Sequence, residues 1–188
     1  LQSGGEKLLE PLYGANYMHF EYFKYTPGSN TVLVEGEGQT EVPKGVRHIR
    51  FMEQYKSGDT NGRILLFETS PEFDAVIGDA SGAYGERLTR FWRCIVFIKP
   101  DCFLILDDLV APRPSSFDWL AHSYGEIAIQ GSDVTIRKPK AGLLIKAVLP
   151  EKAAWFLETT PPDTNGERLR KHLALRPSGK QPSVRFLT

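Results

Sequence analysis

The chain is short of the features that most quickly assign a function. It has 2 cysteines and 4 histidines in 188 residues, with no Cys-x-x-Cys and no His-Glu-x-x-His. The local signatures of zinc, redox and metalloprotease sites are therefore missing. No Gly-x-Ser-x-Gly occurs, which removes the nucleophile elbow of the α/β-hydrolases. Neither sign of charge dominates, because 23 basic side chains face 23 acidic ones. Neutrality removes the simplest argument for nucleic acid, whose phosphates call for a basic face, and a polybasic membrane-surface reading with it. Long hydrophobic runs are absent too. The longest, Cys94-Ile95-Val96-Phe97-Ile98, stops at Lys99, well short of the ~18 residues of a spanning helix. An apolar period of 3.6 residues nowhere persists for three turns without a breaker, so extended helices are not expected.

What is present points to strands. Hydrophobic residues make up 41% and aromatic residues 11%, enough to build a core and too many for a disordered chain. β-Branched and aromatic residues cluster at Thr31–Glu37, Arg47–Tyr55, Arg63–Thr69, Phe73–Ile77, Leu88–Ile98, Phe103–Leu109, Phe117–His122 and Glu126–Ile129. They recur at Val134–Lys138, Leu143–Leu149, Ala154–Thr159, Leu169–Leu175 and Ser183–Leu187. Gly, Pro, Asn and Asp punctuate the gaps, as at Lys99-Pro100-Asp101 and Pro161-Pro162-Asp163-Thr164-Asn165-Gly166. Short strands at regular intervals with such turns predict an all-β fold, an antiparallel two-sheet β-sandwich, over residues 1–188 as one domain. The apolar stretches Cys94–Ile98 and Phe103–Leu106 are expected to form a central hairpin covered on both faces. Pairing Ile98 with Phe103 sets Cys94 opposite Asp107, which keeps Cys94 and Cys102 beyond the Cα separation of about 7 Å that a disulfide tolerates. Both thiols then read as packing groups. The first residues, Leu1-Gln2-Ser3, and the strand-like end at Val184–Thr188 suggest a piece of a longer protein.

No self-contained catalytic set emerges. Asp107 and Asp108 are adjacent on a strand, so they point to opposite faces and cannot share a proton as a dyad. One of them is expected to bond a loop backbone. Gly36-Glu37-Gly38-Gln39 is not followed by a helix whose N-terminus could hold a phosphate, and it reads as a strand ending in a tight turn. His122 has two readings, a hydrogen-bonded structural histidine or a group lining a surface between sheets. His19 sits with Tyr13, Tyr17, Phe20, Tyr22, Phe23 and Tyr25, a cluster suited either to packing on another domain or to stacking on sugar rings. Arg47, Arg50, Arg87, Arg90 and Arg93 would either attract an anionic glycan or pair with surface acids.

Three stretches taken together resemble a known family. Ser29-Asn30-Thr31-Val32-Leu33-Val34-Glu35-Gly36 is similar to a His-Asn-Thr-Val-Leu-Val-Asp-Gly block of the heparinase II/III-like polysaccharide lyases. Gly78-Asp79-Ala80-Ser81-Gly82-Ala83-Tyr84 is the second. The third runs from Arg90-Phe91-Trp92-Arg93 through Leu104-Ile105-Leu106-Asp107-Asp108 to Phe117-Asp118-Trp119-Leu120-Ala121-His122. The resemblance implies the C-terminal β-sandwich of a lyase whose N-terminal α/α-toroid is not in this sequence. It implies an acidic polysaccharide or oligosaccharide substrate, glycosaminoglycans among them, cleaved by β-elimination in the periplasm or outside the cell. The family's catalytic residues lie before this chain begins, so no catalytic residue is assigned here, and the chain is expected to be inactive alone. Asn30, Glu35, Gln39 and His122 are the substrate-binding candidates. Ser29 stands where relatives carry a metal-ligating histidine, and a hydroxyl replaces imidazole poorly on zinc. No metal and no cofactor are therefore expected. The alternative function is a non-catalytic carbohydrate-binding or scaffold module.

Overall fold

The computed structural model describes residues 1–11, 26–39, 62–159 and 171–188. The expected strand Arg47–Tyr55, the aromatic cluster from Tyr13 to Tyr25, His48 and the arginines at 47 and 50 lie outside the described residues. Among the described residues the elements are strands, apart from 3-10 segments at Thr26–Gly28 and Ser81–Arg87. All strand pairs run antiparallel. The fold class is all-β with several antiparallel sheets, as a β-sandwich requires. The chain divides into two compact units, one of Leu1–Gly38 with Ser116–Lys180, the other of Gln39–Ser115 with Gln181–Thr188.

Among the described residues, the first unit holds three sheets. β1 (Gln2–Ser3) and β2 (Glu6–Lys7) form a minimal hairpin turned by Gly4 and Gly5, both at positive φ. β9 (Glu126–Gln130), β10 (Asp133–Arg137) and β11 (Gly142–Lys146) form a meander with β10 in the middle. The largest sheet is ordered β12 (Ala153–Thr159), β13 (Lys171–Pro177), β8 (Phe117–His122), β3 (Val32–Val34). Alternation gives that sheet an apolar face of Val32, Val34, Phe117, Trp119, Ala121, Trp155, Leu173 and Leu175, every one of them buried. Trp119 and Trp155 meet edge to face at 5.9 Å and 78°, the geometry that aromatic quadrupoles favour. The Trp155 indole also donates to the Ser132 carbonyl at 2.9 Å.

Among the described residues, the second unit has a five-stranded sheet ordered β14 (Gln181–Leu187), β7 (Cys102–Ser115), β6 (Arg90–Ile98), β5 (Phe73–Asp79), β4 (Arg63–Thr69). Its buried apolar residues among those described are Tyr84, Leu88, Phe91, Leu109, Ala111, Val184 and Phe186. Tyr84 meets Phe91 edge to face at 5.4 Å. Two expectations for the β6–β7 hairpin need correction. Ile98 pairs with Cys102, so Cys94 faces Leu106 and the register is shifted by one residue. That register places Phe97 opposite Phe103 with the rings stacked at 4.4 Å, and Arg93 opposite Asp107. Both cysteines are free. The hairpin is central in strand order, but Cys94–Ile98 is half-exposed to exposed. An apolar run shows that both faces tolerate burial, not that both receive it.

Candidate functional site

The first resemblance block builds a short strand, last in its sheet among the described residues, with a working residue at each end. Before β3, the Thr26–Gly28 turn closes through the Ser29 amide on the Thr26 carbonyl at 3.0 Å. Asn30 follows, and its Oδ1 accepts from both the His122 backbone amide at 2.8 Å and His122 Nδ1 at 3.0 Å. A main-chain N–H can only donate, so the acceptor is the amide oxygen, and His122 must carry its ring hydrogen on Nδ1. After β3, Val34 and Glu37 exchange 2.9 Å hydrogen bonds around Glu35 (φ 54°) and Gly36 (φ 75°). This is the tight turn expected from the sequence. Glu35 holds a left-handed conformation unusual for a residue with a Cβ. Its carboxylate accepts from the Ser116 amide at 2.5 Å and from Lys180 at 2.7 Å. Lys180 first and then Ser116 hold that carboxyl below its usual range.

The sheet face opposite the Trp119 side mixes the buried apolar Leu120 and Ala174 with a polar cluster. His122 pairs across the strands with His172, and the rings stack at 5.3 Å and 22°. His172 Nε2 lies 3.3 Å from Glu158. Glu158 accepts from Arg176 at 2.5 Å, and Arg176 grips Asp118 with two bonds of 2.8 and 3.0 Å. The guanidinium also lies 5.0 Å over the ring of Phe156. Bonding to Asp118 and Glu158 raises the Arg176 pKa, and the Arg176 hydrogen bond lowers that of Glu158. Burial, then the neighbouring His172, pushes His122 down to about 4, against a smaller opposing effect of the Pro27 carbonyl. Burial also lowers His172. Two carboxylates against one guanidinium leave this cluster net negative, which disfavours a uronate at that spot.

Of the sequence-predicted binding residues, Asn30 and His122 are brought together. Glu35 lies at the far end of β3, about five residues and so roughly 16 Å along the strand from Asn30. Gln39, exposed, falls in the other unit. Sequence reasoning missed His172, Glu158, Asp118 and Arg176. Their only signal is alternation within separate strands, and the register that unites them is not written locally.

The other two resemblance blocks also do structural work. Asp79 Oδ1 accepts from the Ser81 amide at 2.9 Å and from its hydroxyl at 2.5 Å, and Ser81 Oγ accepts from the Phe91 amide at 2.9 Å. These bonds begin the Ser81–Arg87 turn and dock it on β6. In the third block, Arg93 holds Asp107 through 2.6 and 2.7 Å bonds, and Arg90 and Arg185 hold Asp108. Asp107 and Asp108 face opposite sides, and arginine side chains bond both of them.

No protein-family model matches the sequence, nor does any curated protein. Solved structures do match by fold. A heparinase III gene product superposes with a TM-score of 0.68 at 13% identity, over 96% of this chain and 26% of its own. A second heparinase III gives 0.61 at 11% identity, over 88% and 24%. The heparan sulfate lyase HepC from Pedobacter heparinus gives 0.62 at 14% identity, over 94% and 26%. The chain spans about a quarter of the length of these structures. Over nearly all its residues, the chain therefore has the fold of one segment of heparinase III and heparan sulfate lyase structures, the fold that its sequence resemblance implied.

Proposed function

We propose that the chain is the β-sandwich domain of a polysaccharide lyase that cleaves uronate-containing acidic glycans, glycosaminoglycans among them, by β-elimination. One observation carries the reading: the superposition over 96% of the chain on a heparinase III at a TM-score of 0.68. The reaction removes the proton α to the uronate carboxylate and breaks the bond to the 4-linked oxygen, which takes up a proton. It needs a base near C5, an acid at the leaving oxygen and a group that neutralises the carboxylate. Asn30, Glu35 and His122 are bonded within the first unit to one another or to Ser116 and Lys180. They support an architectural or cleft-lining role better than a proton-transfer role. The acid and base are assigned to an N-terminal toroid of the same protein, and the whole protein to the periplasm or the exterior, where such glycans occur.

The 188-residue chain is expected to release no unsaturated uronate, read by its ultraviolet absorbance, from heparin, chondroitin sulfate or alginate. A longer protein that carries the toroid is expected to release it from at least one of them. Turnover by the 188-residue chain alone would overturn the division of labour. A longer protein that binds these glycans and cleaves none would favour the second reading, a carbohydrate-binding or scaffold module. Ser29, in place of the resemblance block's histidine, is the residue that supports that second reading.

A further inference from the structure

The second unit carries a row of side chains that neither its core nor the proposed reaction uses. Strand register sets Arg63 of β4, Asp79 of β5, Trp92 of β6, Asp108 of β7 and Arg185 of β14 side by side. They share one face of the sheet, and the neighbours of Trp92, the buried Phe91 and Arg93, point to the other. Trp92 is 44% exposed, whereas the other two tryptophans, Trp119 and Trp155, are buried. The Arg90 guanidinium lies 5.6 Å from the Trp92 ring centre and pairs with Asp108 at 3.0 Å. Arg63 bonds Asp79 at 2.9 Å, and Arg185 bonds Asp108 at 3.3 Å. Neither carboxylate depends on its outer arginine. Asp79 also accepts from the Ser81 amide and hydroxyl, and Asp108 has Arg90. The Arg63 and Arg185 side chains are 74% and 66% exposed, and a guanidinium has five N–H donors, more than one aspartate uses. Arg63, Arg90 and Arg185 against Asp79 and Asp108 leave the row net positive. The Asp118–Glu158–Arg176 cluster of the first unit is net negative by contrast.

We propose that this row binds an acidic oligosaccharide: Trp92 stacks on the apolar face of one pyranose, and Arg63 and Arg185 bond carboxylate or sulfate groups of the sugars to either side. The spacing suits an extended chain, because each arginine lies two strands from Trp92, about 10 Å at the usual strand separation. A guanidinium takes an oxyanion through two parallel N–H bonds, a geometry that fits carboxylate and sulfate alike. The indole, held on a sheet and beside Arg90, is presented at little cost in side-chain freedom. Trp92 supplies the preference for a sugar ring over any other polyanion, and the arginines supply an attraction that salt weakens. The site rests on the proposed function only for the class of its ligand, and it breaks no bond.

Titration of the 188-residue chain with short fragments of heparin and of alginate, followed by calorimetry and tryptophan fluorescence, tests the row. Trp92 is the exposed tryptophan, so a bound sugar is expected to shift its emission. Trp92→Ala is expected to weaken binding about 10-fold. Arg63→Gln combined with Arg185→Gln is expected to weaken it roughly 10-fold and to flatten its salt dependence. Alginate carries carboxylates and no sulfate, so the two fragments tell which oxyanion the arginines take. Failure of both fragments to bind overturns the site, as does binding that the variants share or that polyglutamate of equal charge matches. Should a variant not fold, the natural chain decides: calorimetric binding with no change in tryptophan emission refutes the site. Dimers seen by light scattering and dissolved by Trp92→Ala, with no glycan bound, also overturn it and make the face a protein contact. The lyase reading fails separately. Binding by this chain with no cleavage by a longer protein keeps the site and rejects the lyase, and cleavage without binding by this chain does the reverse.

Discussion

Gly36 and Gly38 stand two residues apart and are required for different reasons. Gly36 has a φ of 75° and open space where a Cβ would sit, so its need is purely conformational. Gly38 has no such φ, but a Cβ there would overlap the Thr26 side chain. Gly36→Ala is expected to cost about 1 kcal/mol in urea unfolding. Gly38→Ala is expected to cost more, because the Thr26–Gly28 turn must move, with off-rotamer strain of about 1–3 kcal/mol. The Gly-rich stretch was legible as a tight turn, and Asn30 as a residue near it. What stayed hidden was the partner. Asn30 and His122 are 92 positions apart, and a contact of that range depends on strand register, which single-residue chemistry does not encode. The same holds for His172 and Glu158, whose pairing is fixed by the ladder between β12 and β13.

At the scale of the element, alternation was the dependable guide and register was not. The bounds of β4 and β8 are those expected, and every other strand longer than three residues overlaps an expected one. β1 and β2, at two residues each, carry no period to detect. The β6–β7 register slipped by one because nothing in Lys99–Asp101 alone distinguishes pairing Ile98 with Cys102 from pairing it with Phe103. Phe97 and Phe103, stacked in the actual register, held the clue. A slip of one still leaves Asp107 and Asp108 on opposite faces of β7, and their environments differ accordingly. The Asp107 side chain is fully buried against Arg93, and Asp108 is one-fifth exposed between the more open Arg90 and Arg185. Asp107→Ala removes the partner of a largely buried arginine and is expected to lower stability by about 3 kcal/mol or more. Asp108→Ala breaks surface pairs and is expected to cost under about 1 kcal/mol. Paired urea titrations of the two variants check this, and equal costs would contradict the alternation.

For the molecule as a whole, the order of the chain matters more than any one strand. The second unit is assembled from two distant pieces, because β14, residues Gln181–Leu187, returns after the first unit to pair with β7. The sequence showed β14 as a strand but gave no sign of its neighbour. Long-range antiparallel closure follows from packing, and packing is a property of the finished fold. β14 supplies Val184 and Phe186, both buried, and covers the edge of β7. Burial of two such side chains is worth about 3–6 kcal/mol, against a total of about 5–15 kcal/mol for a typical domain. Removal of residues Gln181–Thr188 also uncovers the hydrogen-bonding groups of a long strand, an open edge prone to association. A chain ending at Lys180 is therefore expected to lose most of its stability and to associate. Thermal unfolding and light scattering of the shortened chain test this directly. A cooperative, monomeric transition at an unchanged temperature would show that the five-stranded sheet does not depend on its last strand.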